Sequence, residues 1–346
     1  MSNFLSVDVF KFENHFSKKS HLVSTQIIES KLNDIPKISI VIPTYKRADY
    51  LKIAIESALN QIDFDNYEII IVDNNPERDC ETEQMLKKIN NYKISYYKNI
   101  ENLGMYGNWN RCIELAKAEY LTILNDDDTL SEEYLKSVNE IISKNQKLDA
   151  LVTGFQVIDA NGERILEESS PKSQVSRIIA LDLLFGNVNP GSLGILFSKK
   201  TLIDIGGYDE TYFPSSDYMF LVKYLVNFEN VFYSNELLAN YRIAVNESKK
   251  ITTLQGFIAI DKKIRNSFIA IYPKLKKWIE LSLPIIELKQ YKSLSEMSEE
   301  FSEMNLNQII KINNSIGLNN KIAYNLLVLL RKLLRFRKKS VSYNAF

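Results

Sequence analysis

"YLTILNDDDTLSEEYL", Tyr120 to Leu135, sets Asp126, Asp127 and Asp128 side by side directly after a run of apolar residues. The opening of this stretch is short and nearly continuously apolar, as a strand buried on both faces should be. Adjacent carboxylates repel one another, so a strand that ends on them needs something to offset the repulsion. Asp128 or Thr129 capping a helix that begins near Ser131 would account for one carboxylate and leave its neighbours uncompensated. A divalent cation would offset the rest. Carboxylates with no histidine or cysteine nearby suit hard Mg²⁺ or Mn²⁺, which complete their shells with phosphate oxygens.

Working outward, "KISIVIPTY" (37–45), "YEIIIVDNN" (67–75) and "KISYYKN" (93–99) have the same β-branched, apolar character. Between the strands, Leu51, Ala54, Ile55, Ala58 and Leu59 lie at helix-face spacing, as do Met85 and Ile89, and Cys112, Leu115 and Ala116. Strand alternating with helix predicts an α/β fold with a mainly parallel sheet flanked by helices, whose ligands bind at the carboxyl ends of the strands. The polar clusters sit at those ends: Pro43 to Arg47, Asp73-Asn74-Asn75, Asn99 to Gly104, and the aspartate run. Asp and Asn are also common turn residues, so it is the joint placement that points to a site.

The 346 residues are enough for a substantial core, and 45% hydrophobic with 25% charged residues is ordinary globular composition. With 43 Lys+Arg against 43 Asp+Glu there is no basic excess of the kind a nucleic-acid binder shows. The only cysteines, Cys80 and Cys112, make neither a disulfide framework nor a cysteine metal site, and the only histidines, His15 and His21, both precede the first strand of the series. The opening residues lack a secretory apolar region, so a cytoplasmic location is expected and the sequons at Asn246 and Asn313 read as chance matches. No G-x-x-x-x-G-K-[ST] loop or G-x-G-x-x-G turn follows the first strand, which excludes a P-loop or dinucleotide fold.

"ISIVIPTYKRADYLKIAIESALNQ", "YEIIIVDNN", "ENLGMYGNWN" and "YLTILNDDD", in that order, resemble the nucleotide-sugar half of family 2 GT-A glycosyltransferases, a likeness running from about residue 37 to 245. The resemblance implies that Pro43, Tyr45 and Arg47 line the nucleotide pocket, that Asp73 accepts a hydrogen bond from the pyrimidine ring N–H, and that Asn102 and Gly104 lie beside the base. A carboxylate in that role selects uracil or thymine over cytosine, hence a UDP- or dTDP-sugar. The family's Asp-x-Asp-Asp pattern falls on Asn125 to Asp128, which implies Asp126 at the sugar hydroxyls and Asp127 and Asp128 as metal residues for Mn²⁺ or Mg²⁺. Where many members carry Ala-Arg-Asn, this chain has Asn108-Trp109-Asn110, so Asn110 is matched and the arginine is absent. Arg111, one helical step on, points elsewhere.

In the acceptor half, "DALVTGFQVIDANGER" reads as a strand and an Asn161-Gly162 hairpin turn. An inverting transferase needs a general base for the acceptor hydroxyl. The family's base is an aspartate opening a helix after Gly-Gly-Phe/Tyr; Gly206-Gly207-Tyr208 followed by Ser215-Ser216-Asp217 implies Asp217. A helix N-terminus also favours an aspartate for its charge alone, and it lowers the carboxylate's basicity. In "ANYRIAVNES" (239–248), Ala244 stands where a histidine is frequent in the family, and the Gln-x-x-Arg-Trp motif of polymerising members is missing, which implies transfer of a single sugar.

Beyond residue 250 the pattern is helical, ending in "KIAYNLLVLLRKLLRFRKKS" (321–340), which reads either as a basic amphipathic helix lying on a membrane or as a helix packed on the core. The expected organisation is an N-terminal extension (1–36), a GT-A domain (37–250, with its nucleotide-sugar half at 37–130 and acceptor half at 131–250) and a helical C-terminal region (251–346). The expected function is metal-dependent inverting transfer of one sugar to a glycan acceptor, lipid-linked, in O-antigen or capsule synthesis. The alternatives are a nucleotidyltransferase, which would need a better phosphate-gripping loop than Lys46 and Arg47, and a non-catalytic nucleotide-sugar-binding or scaffold subunit.

Overall fold

The computed structural model describes residues 13–145, 147–165, 173–243 and 249–339, the side chains of 335–339 excepted. A 3₁₀ turn, Phe16–Lys19, precedes β1 (Ser24–Ile28). The first series is β2 (Ile38–Thr44), α1 (Ala48–Leu59), β3 (Tyr67–Asp73), α2 (Glu81–Lys88), β4 (Ile94–Asn99), α3 (Met105–Leu115) and β5 (Tyr120–Ile123). There follow β6 (Thr129–Leu130), α4 (Tyr134–Lys144), β7 (Ala150–Ile158), β8 (Val175–Arg177), α5 (Ala180–Leu183), β9 (Ile195–Ser198), α6 (Lys199–Asp204), α7 (Ser216–Asn227) and β10 (Val231–Arg242). The C-terminal helices are α8 (Ile251–Ile271), α9 (Lys276–Met297), α10 (Glu299–Ser315) and α11 (Leu318–Lys339).

One mixed sheet takes the order β1-β4-β3-β2-β5-β9-β7-β10-β6, with β8 on β10. The pairs β2–β3, β3–β4 and β2–β5 are parallel, as the strand–helix alternation predicts, and the sheet continues through antiparallel β9. Every residue of β2, β3 and β4 is buried. The two-residue side-chain period sends Ile40, Ile42, Ile69 and Ile71 to the face covered by α1 and α4, and Val41, Ile70 and Val72 to the face covered by α3 and α7. Both sheet faces are therefore core, and the polar strand ends are left to form a site.

The helix expected near Ser131 begins three residues later. Thr129 and Leu130 form β6 in register with Asn240 and Ala239, and α4 starts only at Tyr134. Asp128 is not a cap, because its Oδ1 accepts the Arg242 N–H of β10 at 2.9 Å. The Asn161-Gly162 turn is present, closed by the Asp159 N–H to the Glu163 carbonyl at 2.8 Å.

Ahead of the series, β1 pairs antiparallel with β4, and the His15 N–H donates to the Gly206 carbonyl at 2.9 Å. At the other end, α11 divides its apolar residues between two environments. Ala323 and Leu327 are buried, and Tyr324, Leu330 and Leu334 pack against the larger core. Leu318, Ile322, Leu326, Leu329 and Leu333 form a stripe on the opposite side and are exposed. Among the described residues, no helix is long and apolar enough to cross a membrane.

Candidate active site

The aspartate run lies where β5 ends beside β2, and its repulsion is offset largely by the protein itself. Arg47 Nη1 is 2.8 Å from Asp127 Oδ2 and 3.5 Å from Asp126 Oδ1. Thr44 Oγ1 donates to Asp126 Oδ2 at 2.7 Å, and Asn125 Nδ2 to Asp128 Oδ2 at 2.8 Å. Arg242 closes the group from β10, giving its backbone N–H to Asp128 and its Nε to the Asp127 carbonyl at 2.9 Å. Burial, with the Asp127 charge adding to it, pushes Asp126 up to about 6 and Asp128 well above the ordinary carboxylate range. Asp126 and Asp128 are buried, whereas Asp127 keeps 14% of its side chain open.

Among the described residues no three His, Cys, Asp or Glu side chains converge on a metal position. Asp127 alone presents a partly open carboxylate, held by a mobile arginine charge rather than by fixed backbone donors. One or two carboxylates are what Mg²⁺ and Mn²⁺ take from a protein when phosphate and water supply the remaining oxygens, so the donor set fits an ion brought with a diphosphate. Asp128, with both oxygens engaged inside the protein, fits the role of support behind Asp127 better than that of a direct ligand.

At the end of β3, Asp73 is wholly buried. Its Oδ1 accepts the Asn75 N–H at 2.9 Å, and its Oδ2 accepts the Tyr96 hydroxyl and the Lys98 ammonium, each at 2.8 Å. Oδ1 keeps a second lone pair, but with the side chain 0% exposed a ligand would meet it only after the rim moves. Asn74 ties this strand end to the next loop: its Nδ2 donates to Asn102 Oδ1 at 2.7 Å and to the Gly104 carbonyl at 3.2 Å, and its Oδ1 accepts the Leu103 N–H at 2.8 Å. Tyr45, Asn102 and Gly104 are exposed on this rim, and Pro43 is buried within β2.

Asn110 belongs to a different part of the molecule. Its side chain clamps Tyr208, donating to the carbonyl at 2.9 Å and accepting the N–H at 2.8 Å. This explains the second glycine of Gly206-Gly207-Tyr208: Gly207 has φ +77°, and a Cβ there would lie 2.6 Å from Asn110 Oδ1. The neighbouring Trp109, in the place of the family's arginine, is 6% exposed and meets Tyr106 and Tyr208 edge-to-face at 5.3 and 5.1 Å. That position is core here. Arg111 reaches the N-terminal segment, donating to the Leu22 carbonyl at 2.6 Å.

Asp217 stands in the first turn of α7, half-buried, with Oδ2 accepting Asn187 Nδ2 at 2.7 Å. The helix terminus does not make it a weak base. Burial, with a contribution from Asp261, outweighs the Tyr218 N–H and the Asn187 amide and pushes its pKa up to about 7. The loop that carries Asn187 also reaches the aspartate run: a Cβ on Gly191, at φ +61°, would lie 3.5 Å from Asn125 Nδ2 and 3.3 Å from the Trp109 ring. One loop between α5 and β9 therefore meets Asp217 through Asn187 and lies beside Asn125 at Gly191.

The model of Glycosyl transferase family 2 matches residues 39–199, the segment that carries β2 to β5 and the aspartate run. Residues 39–199 form a glycosyltransferase family 2 domain. The transferase is 28% identical over 263 residues to the GalNAc(5)-diNAcBac-PP-undecaprenol beta-1,3-glucosyltransferase of Campylobacter jejuni, covering 75% of this chain and 79% of that protein. It is 25% identical over 251 residues to the poly(ribitol-phosphate) beta-N-acetylglucosaminyltransferase TarP of Staphylococcus aureus, covering 70% and 72%. Its fold matches that of S. aureus TarS 1–349 in complex with UDP-GlcNAc, with TM-score 0.54, 17% identity, and coverage of 84% and 90%. Other relatives are longer, and the chain spans 31% of two Rickettsia glycosyltransferases. The fold is the GT-A α/β architecture, and the family 2 domain sets aside a nucleotidyltransferase.

Sequence reasoning gave no individual role to several residues that build the transferase's site. Thr44, Asn74 and Asn125 fall in the strand-end clusters without an assigned partner, and Asn187 is a short polar side chain indistinguishable in a sequence from an ordinary turn residue. Lys98 had a signal, a charged residue in an otherwise apolar strand, where it is 2% exposed. Ala244, noted for the absent histidine, lies outside the described residues.

Proposed function

We propose that the enzyme is an inverting transferase that moves one sugar from a UDP- or dTDP-sugar to a glycan acceptor, with Asp217 as the base. The observation that carries this reading is Asp217 itself: a half-buried carboxylate at a helix start, basic near neutral pH, bonded to Asn187 of a loop whose Gly191 lies beside Asn125, the residue that opens the aspartate run. Asp217 takes the proton of the acceptor hydroxyl as the acceptor oxygen bonds to the anomeric carbon. The bond from that carbon to the diphosphate oxygen breaks on the opposite face, which inverts the configuration. Tyr45 offers a ring for the base to stack on, Asn102 and Gly104 border it, and Arg47 is placed to exchange Asp127 for phosphate oxygens. Asp127 would hold Mg²⁺ or Mn²⁺ with Asp128 behind it, and the bound ion supplies positive charge to the leaving diphosphate.

The acceptor proposed is a lipid-linked glycan in surface polysaccharide synthesis, O-antigen or capsule. The undecaprenol-linked acceptor in the Campylobacter relative's name supports it. So does α11, whose exposed leucine stripe is accompanied by the exposed Lys332 and would sit on the inner face of the membrane as an amphipathic surface, whereas Arg331 is turned to Asp182 at 3.6 Å. The test is thermal stabilisation by a panel of UDP-glucose, UDP-GlcNAc and dTDP-glucose with and without Mn²⁺, followed by assay of nucleotide release. A ligand at a hundred times its Kd adds about 2.7 kcal/mol, well within reach of a melting assay. A panel that neither stabilises the protein nor releases nucleotide refutes the proposal.

A further inference from the structure

The helical C-terminal region reaches under the turn that carries Asp217. Ser215 occupies the N-cap position of α7 but makes no side-chain cap; its hydroxyl turns away and donates to Asp261 Oδ1 on α8. Asp261 is itself fixed by two helices: Oδ2 accepts Gln290 Nε2 of α9 at 2.7 Å, and Arg265, one turn along α8, lies 3.7 Å away. Arg265 is 4% exposed and donates Nη1 to Gln290 Oε1, which completes a buried Asp–Gln–Arg unit. The approach of α8 is close enough that a Cβ on Gly256 would lie 2.7 Å from Pro214 Cδ. From the other side, the Tyr106 hydroxyl donates to the Pro214 carbonyl at 2.9 Å. Residues 214 and 215 are thus gripped from both sides, two positions before the proposed base.

A serine at an N-cap ordinarily spends its hydroxyl on the helix's own N–H groups, a contact whose loss costs about 1 kcal/mol. Forgoing it for a carboxylate on a distant helix makes sense if the position of the turn matters more than the cap. We propose that Asp261 is a positioning residue for transfer, holding Ser215 and the first turn of α7 so that Asp217 meets the acceptor hydroxyl. The proposal rests on Asp217 being the base. Asp261 acts on it in a second way, through charge. The groups facing Asp217 are Asp261, Arg265 behind it, the Tyr106 and Tyr208 hydroxyls, and the Asn187 amide. Of these Asp261 is the anion, and it adds to the basicity that burial gives Asp217.

The experiment compares wild type with Asp261→Asn, Asp261→Ala and Asp217→Asn in the full chain. Asp261→Asn keeps an oxygen for Ser215 and removes the charge, whereas Asp261→Ala removes both. With whichever of UDP-glucose, UDP-GlcNAc or dTDP-glucose wild type turns over, Asp261→Ala should lower kcat about tenfold or more with donor KM unchanged, since misplacing a catalytic group is felt in the rate. Asp261→Asn should recover most of kcat and shift the acid limb of the pH profile to lower pH. The substrate-free readout is the ¹³C-carboxyl titration of Asp217, identified by its absence in Asp217→Asn, whose midpoint should fall in Asp261→Asn. Unchanged kcat in Asp261→Ala overturns the positioning role, and an unchanged Asp217 midpoint in Asp261→Asn overturns the charge contribution, while a slow Asp217→Asn leaves the base in place. An Asp217→Asn enzyme as fast as wild type overturns the base, and the proposal with it.

Discussion

Replacing Asp217 with Asn keeps its size and its bond to Asn187 and removes the proton acceptor. If Asp217 is the base, the substitution costs about 10²- to 10⁴-fold in rate, or roughly 3 to 5 kcal/mol of barrier. If Asp217 only complements the α7 terminus, the cost is about 0.3 to 1 kcal/mol of stability and no rate. The pKa separates the two further. Because burial raises it from 3.8 to about 7, kcat/KM for the acceptor should fall tenfold per pH unit below about 7. The effect on stability has a definite sign. The folded state holds this proton more tightly than the unfolded chain, so wild type loses stability as pH rises from about 4 through about 7. One pKa unit is about 1.4 kcal/mol, so the shift allows at most roughly 4 kcal/mol, less whatever the open crevice side recovers through solvent. The Asn variant carries no such loss and should melt higher than wild type at pH 8 while matching it near pH 4. Nucleotide release across pH 5 to 9, paired with melting curves, is the assay. A variant that transfers within a few-fold of wild type, or a wild-type rate flat down to pH 5, refutes the assignment.

Asp127→Asn should weaken UDP binding in the presence of Mn²⁺ by about tenfold or more in calorimetry, since it removes the one partly open carboxylate of the run, while leaving the melting temperature within a few degrees. Changing Leu326, Leu329 and Leu333 to Glu, at positions 44%, 53% and 52% exposed, should sharply reduce binding to anionic vesicles without lowering the melting temperature, because none of the three is core. Vesicle binding equal to wild type would remove the membrane role of α11. Gly207→Ala should cost about 1 to 3 kcal/mol in denaturant unfolding, from backbone strain and the 2.6 Å approach to Asn110 Oδ1. Combining it with Asn110→Ala should be less than additive, since both disturb one clamp.

The parallel half of the sheet was legible because β2, β3 and β4 are buried on both faces and so read as unbroken apolar runs with helices of clear period between them. The antiparallel half was less so. In β10, nine of its twelve residues pair with β7 through two register shifts, which break the two-residue period, and β6 has only two residues. The helix expected near Ser131 starts three residues later and is not capped by Asp128 or Thr129 for the same reason: Thr129 and Leu130 answer to a strand partner more than a hundred positions away. In the C-terminal region the two readings of α11 were both incomplete, because one helix carries a packed stripe and an exposed one, and periodicity alone shows only that both are apolar.

Motif order points to a candidate site, but the state of each side chain depends on partners that no motif contains. Three adjacent aspartates announce repulsion, and a cation is one remedy for it. Here Arg47 faces two of the three, Thr44 binds one of those, and Asn125 with the Arg242 amide binds the third. These partners come from the turn after β2, from the aspartate loop itself and from the end of β10, so the run is satisfied only once both halves of the sheet have joined. The compensation is uneven, and the unevenness is informative. Asp126 and Asp128 are bound by a hydroxyl, an amide and a backbone N–H, donors that favour the ionised carboxylate, and burial outweighs them and raises both pKa values. Asp127 is bound by a guanidinium that is one-third exposed, a charge able to move to a phosphate when one arrives. The run therefore combines a rigid pair that shapes the strand end with one carboxylate whose partner is exchangeable, and it is the exchangeable one that a nucleotide sugar and its cation would engage.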